Sequence, residues 1–369
     1  MNKTSKWTFD KKLLEDGIVI GIKKLDDDSI PMSDKVGIEQ DLEFFYNMLS
    51  GNFSNESDDL YYYEDMEFEE EKELSFKELK EEIIAKCIKY YCMLGSRAIN
   101  LIIKIAEEGI FYIPDKFPIQ TLTMDEQVEY TIKNYEKHEK DFLSKAKELL
   151  LIEKPRLIQM SKDEDISSYV HYYSVLEEPF IIVNPNERTS ILNHEIEHAI
   201  ELSKKIDNAD NNIYCEVGSI YFELLFCDLL YEKGILKYSS DFQERVGDTT
   251  NTIADLYPIF KFIKEIYKKG NSLSDDEFLK LCQDHLEINN LEVLQDFSDI
   301  RLTPEYIDEQ IRYVFSHLKA IELREQTIRT KRSSKELLIE SFKKPLTYRN
   351  PDEKVKIYQR YLNEIERKR

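Results

Sequence analysis

The chain has 369 residues, 41% apolar and 34% charged, and Lys+Arg 51 against Asp+Glu 73 gives a net charge of −22. That field repels phosphate backbones, so nucleic-acid binding is not expected, and no apolar run approaches the ~20 residues of a membrane-spanning helix. Gly, at only 10 residues, argues against a turn-rich all-β fold and for a mainly α one.

Met1 to Asp16 is polar, with no apolar stretch behind its lysines, and reads as no secretory signal. Ile18-Val19-Ile20-Gly21-Ile22 reads as a strand, and Ile38 to Leu49 as a helix. Residues 51–75 carry ten acids and one lysine around Tyr61-Tyr62-Tyr63, the pattern of a solvated, flexible stretch. Glu78 to Glu108 has Leu79, Ile83, Ile84, Cys87, Ile88 and Tyr91 at helical spacing, and Gly109 and Pro114 close it. Thr123-Met124-Asp125-Glu126 is a helix start, with the helix running to about Ile152.

The character changes at residues 156–184. Arg156 to Met160 and Ser168 to Val175 are rich in β-formers, and Pro179-Phe-Ile-Ile-Val-Asn184 is a short apolar strand closed by Asn184-Pro185. Cys87, Cys92, Cys215, Cys227 and Cys282 are scattered without a C-x-x-C, which points to free buried thiols in a reducing, cytoplasmic setting. From Lys331 onward the chain holds twelve basic and six acidic residues, the pattern of a solvated helical region.

The segment that carries chemistry follows the third β-rich run. Ile191-Leu-Asn-His194-Glu195-Ile196-Glu197-His198-Ala-Ile200 contains H-E-x-x-H. On a helix, residues four apart lie about 40° apart in projection, so His194 and His198 can bind one metal ion. Glu195 lies about 100° around from His194, placed to take a proton without being a ligand. Two neutral imidazoles with an open position suit catalytic zinc, one ion per chain. Ile191, Leu192, Ala199, Ile200 and Leu202 make this a core helix, where histidines need partners.

A third ligand is required. His198 is followed by Ala-Ile-Glu-Leu-Ser-Lys-Lys, with neither the Gly turn nor the third His of metzincins. A strong turn at Asp207 to Asn212 leads into an apolar helix carrying Glu216 and Glu223, seven apart on one face. Two acids in such a helix are costly unless paired or metal-bound. Glu216 is assigned as ligand and Glu223 as acceptor for a ligand imidazole N–H. The rival ligand is Glu201, one turn beyond His198.

Pro179 to Asn184, then His194-Glu-Ile-Glu-His198-Ala, then Glu216-Val-Gly-Ser219-Ile-Tyr-Phe-Glu223-Leu-Leu resembles the thimet oligopeptidase and oligoendopeptidase F family of zinc metallopeptidases. The likeness is good over residues 170–226 and loose over 300–325. It implies a mainly α, gluzincin-type fold with Glu216 as third zinc ligand, and a small β-sheet edge strand beside the active-site helix that pairs with bound peptide. It also implies a downstream helix whose Tyr and His side chains stabilise the tetrahedral intermediate. The counterparts here are Tyr306, Tyr313 and His317, with Phe315 where the family has a second Tyr and no O–H to offer.

The expected organisation is a segment over 1–76 followed by a helical metallopeptidase domain over 77–369, its catalytic core at about 165–325. The expected activity is zinc-dependent endopeptidase cleavage of short oligopeptides, with Glu195 as general base and no nucleic-acid or membrane partner. The alternatives are a peptidase-fold protein that binds peptides or a partner with little turnover, and a helical scaffold without metal.

Overall fold

In the computed structural model, the described residues are 11–27, 29–50, 74–108, 122–151, 157–159, 168–173, 175–176, 178–184, 187, 189–203, 216–235, 240–330, 332, 337 and 356. The acidic stretch 51–73, the turn at 207–212, Cys215 and nearly all of the basic C-terminal region therefore lie outside them. The fold is mainly helical with one small sheet. The chain forms two compact units, one of residues 1–69 and 119–207 and one of residues 70–118 and 208–369. No described helix is long and apolar enough to cross a membrane.

The first unit contains α1 (Lys11–Leu25), α2 (Met32–Ser50), α4 (Met124–His138), α5 (Lys140–Leu151), β1 (Leu157–Gln159), β2 (Tyr169–Tyr173), β3 (Glu178–Val183) and α6 (Ile191–Ser203). The second contains α3 (Phe76–Glu107), α7 (Val217–Glu232), α8 (Ser240–Lys269), α9 (Asp275–Leu286), α10 (Leu291–Asp296) and α11 (Pro304–Thr330).

The run Ile18 to Ile22, expected as a strand, is instead the middle of α1. Its β-formers are overruled by a helical stripe of Leu13, Leu14, Gly17, Ile18 and Gly21 buried against α2. The glycines permit the close approach: a Cβ at Gly17 would sit 2.8 Å from Phe45, and one at Gly21 would sit 2.6 Å from Leu42.

Thr123 and Ser75 each close a reciprocal capping box, with Glu126 and Glu78 respectively. The helix expected from Thr123 to Ile152 breaks at Glu139, whose backbone turns to φ −149°, so α4 and α5 are separate. Gly95 interrupts α3 at φ 77°, a conformation glycine adopts without strain.

β3 is the central strand. It pairs parallel to β1 (Leu157↔Ile181) and antiparallel to β2 (Tyr169↔Ile182). Phe180 and Ile182 join Tyr173 and Val175 in a core with Leu14, Ile38 and Phe45 of α1 and α2. Ile181 and Val183 alternate to the other face and are equally buried, while α6 packs on β3 and β2. Burial on both faces explains the unbroken apolar run. The strand that leads into the H-E-x-x-H helix is therefore not a free edge. Its two hydrogen-bonding sides are taken, and among the described residues the sheet edges are β1 and β2.

In the second unit α7 is apolar around its whole circumference and is buried on nearly all sides, the pattern of a central helix. α3 and α8 pack along their length, joined by Lys264 to Asn100 at 2.7 Å and by the stacked rings of Tyr91 and Tyr267. Cys87, Cys227 and Cys282 are buried cysteines outside any disulfide, and burial pushes the Cys282 thiol up to about 12; Cys92 is exposed.

Candidate metal centre

α6 starts where the chain leaves β3. Asn184, at the end of β3, donates its backbone N–H to Ser168 Oγ at 2.9 Å, and Ser168 donates its own to Glu187 at 2.8 Å. The start of β2 and the loop after β3 are thereby fastened together. Ser190 then accepts the backbone N–H groups of Asn193 and His194 at 2.9 and 3.2 Å, opening the helix. The histidines are set on an element held at its entry and packed on the sheet.

His194 and Glu195 are buried and His198 is half-buried. The Nε2 atoms of His194 and His198 lie 3.3 Å apart, with ring centroids at 4.9 Å and planes at 75°. Two nitrogens each ~2.0–2.1 Å from one tetrahedral ion stand about 3.3–3.4 Å apart. The pair is thus spaced as two donors to a single zinc-sized cation.

Glu216 occupies the N-cap of α7 at φ −92°, ψ −7°, one residue before the helix proper, and its carboxylate makes no capping bond to that helix. Among the described residues, His194, His198 and Glu216 form a group that could hold a metal ion, with one ligand atom from each within 4.8 Å of the others. Two neutral imidazoles and one carboxylate are a donor set of the catalytic-zinc type, three protein ligands with a fourth position left for water or substrate. Glu223, two turns into α7, is buried at 1% exposure. Glu201 lies in the last turn of α6.

Tyr306, Tyr313 and His317 all lie on α11. Phe315 is fully buried there, as a core phenylalanine is. Tyr306 accepts a hydrogen bond from Arg301, whose guanidinium also lies 4.8 Å from the ring centre. Tyr313 is 37% exposed, and His317 is fully buried. Tyr221 meets Thr327, and Asp228 meets Arg324, holding α7 to α11. His194, His198 and Glu216 form the metal-holding group, and Tyr306, Tyr313 and His317 share α11.

Residue-by-residue reading of the motif missed Glu197 and Tyr135. Both are fully buried, and the Tyr135 hydroxyl donates to Glu197 Oε2 at 2.6 Å. The available signal was a second acid inside H-E-I-E-H, on a helix otherwise apolar enough to be core.

No family model matches the chain, and no curated protein matches it. Among solved structures it is similar to the crystal structure of a "putative peptidase from Chlamydophila abortus", with a TM-score of 0.46 and 12% identity. That match covers 97% of this chain and 63% of the other, so the chain spans less than two thirds of that protein's length.

Proposed function

We propose that the chain is a zinc-dependent peptidase that cleaves short peptides in the cytoplasm, with His194, His198 and Glu216 holding the metal and Glu195 as general base. The observation that carries this reading is the 3.3 Å convergence of the two Nε2 atoms with Glu216 in the same cluster. Zinc bound by these groups would polarise a substrate carbonyl and make water acidic near neutral pH. His194 and His198 orient their Nε2 lone pairs from one helix face, one turn apart. Glu195, next in sequence to the first ligand, accepts the proton of the attacking water and returns it to the leaving amine. Its burial excludes bulk water from that transfer.

Backbone pairing to substrate falls, in this reading, to β2 rather than β3. Among the described residues β2 is an edge strand, and it also packs on α6, so a peptide added there gains main-chain hydrogen bonds beside the motif helix.

A second reading has a specific observation in its favour. Phe315, fully buried on α11, has no O–H to offer where the resembled family has a second Tyr, which leaves the developing oxyanion to Tyr306, Tyr313 or His317. A protein that keeps the metal and binds peptides with slow turnover fits that arrangement. Metal content and hydrolysis of a quenched peptide library decide between the two, with Glu195→Gln as the control. One zinc per chain with library turnover that Glu195→Gln abolishes supports the peptidase. Metal with no turnover supports the binding protein, and absence of metal removes both.

A further inference from the structure

Two buried hydrogen bonds fix the motif helix to α4. Asn134 donates from Nδ2 to Asn193 Oδ1 at 3.0 Å, and Tyr135 donates its hydroxyl to Glu197 Oε2 at 2.6 Å. All four residues are fully buried. Asn134 and Tyr135 are consecutive on α4, while Asn193 and Glu197 are one turn apart on α6. Each acceptor immediately precedes a histidine, Asn193 before His194 and Glu197 before His198, and so lies about 100° around the helix from it.

The two bonds therefore act at the same height as the two metal donors and on an adjacent face. A helix packed only by apolar side chains can rotate or slide by a fraction of an ångström at little cost. Two hydrogen bonds spaced one turn apart oppose both motions. The bond from the Tyr135 hydroxyl to the Glu197 carboxyl is short, at 2.6 Å. α4 is itself a fixed reference: the Thr123–Glu126 capping box closes its first turn, and Tyr135 is packed without exposure.

Burying an acid in a helix core is costly against an apolar residue of similar size unless it is paired. Core packing alone does not call for Glu197 at this position. We propose that Tyr135 and Glu197, with Asn134 and Asn193, are positioning residues that set the rotation of the motif helix and hence the convergence of His194 and His198 on one metal ion. The inference rests on the metal-site reading of the same helix.

The experiment uses the full chain loaded with Co²⁺ as the probe. Cobalt affinity is measured by chelator competition, and the visible absorption bands report the coordination geometry. Tyr135→Phe removes the donor with no change of shape. Glu197→Leu removes the acceptor, while Glu197→Gln keeps an acceptor oxygen for the Tyr135 hydroxyl. Tyr135→Phe and Glu197→Leu are expected to weaken cobalt binding by about tenfold or more and to shift the bands. Glu197→Gln is expected to restore both. Circular dichroism and the melting temperature of each variant separate loss of fold from loss of aim. If the wild-type chain binds Co²⁺ and Tyr135→Phe matches it in affinity and spectrum, changing only its melting temperature, the pair is structural and the inference is overturned. If the wild-type chain takes up no cobalt, the metal-site reading itself is wrong and the inference goes with it.

Discussion

Asp228 and Arg324 form a half-buried bidentate ion pair, at 2.7 and 2.8 Å, that locks α7 against α11. The Tyr221–Thr327 contact joins the same two helices. α7 carries Glu216 at its start, and α11 carries Tyr306, Tyr313 and His317 in its first half.

Tyr313→Phe is expected to lower kcat for peptide cleavage by ~10²–10³ with little change in KM, the cost of removing an oxyanion donor. Steady-state kinetics on a quenched peptide check this, and unchanged kinetics would remove Tyr313 from that role.

Glu195→Gln is expected to retain metal and fold and to lose ~10²–10⁴ in kcat, the usual worth of general acid–base catalysis. The amide is nearly isosteric with the carboxylate and cannot accept the proton. Near-normal turnover in this variant, at unchanged metal content, would rule out Glu195 as the base.

The capping boxes give a pH dependence with a definite sign. Thr123 donates from its hydroxyl and backbone to Glu126 at 2.8 Å, and these bonds hold the Glu126 carboxyl below its ordinary value. Ser274 does the same for Glu277, through its backbone N–H first and its hydroxyl second. A depressed carboxyl contributes stability above its unfolded-state pKa and loses it as the pH falls through the lower folded value. Thr123→Val is therefore expected to lower the melting temperature at pH 7, with the gap from wild type narrowing as the pH drops below about 4.5. A gap independent of pH between 7 and 3 would show that the carboxylate takes no part in the cap.

Much of this was legible in the sequence. The helical stripe from Leu79 to Tyr91, the β-rich run at 156–184 and the H-E-x-x-H helix each stand on a local period or spacing, and the structure has an element at each. What was not legible depends on partners distant in sequence. Ile18 to Ile22 has strand-forming residues, but Gly17 and Gly21 let α1 lie against Phe45 and Leu42 of α2, and that packing decides. β3 is central because β1, some twenty residues earlier, adds to its far side in parallel. In the site, the His194–His198 spacing follows from helix geometry alone. The second acid inside the motif signals that Glu197 needs a partner, but that the partner is Tyr135 of α4, sixty residues away, is not legible within the motif.

The identity of the third ligand is the central claim, and metal content of two carboxylate variants tests it most directly. Wild type, Glu216→Ala and Glu201→Ala are purified side by side, and bound zinc is measured by elemental analysis after dialysis against a weak chelator. One zinc per chain is expected in wild type and in Glu201→Ala, with most of it lost in Glu216→Ala. Retention of zinc in Glu216→Ala with loss in Glu201→Ala would contradict the assignment of Glu216 as the ligand that completes the site.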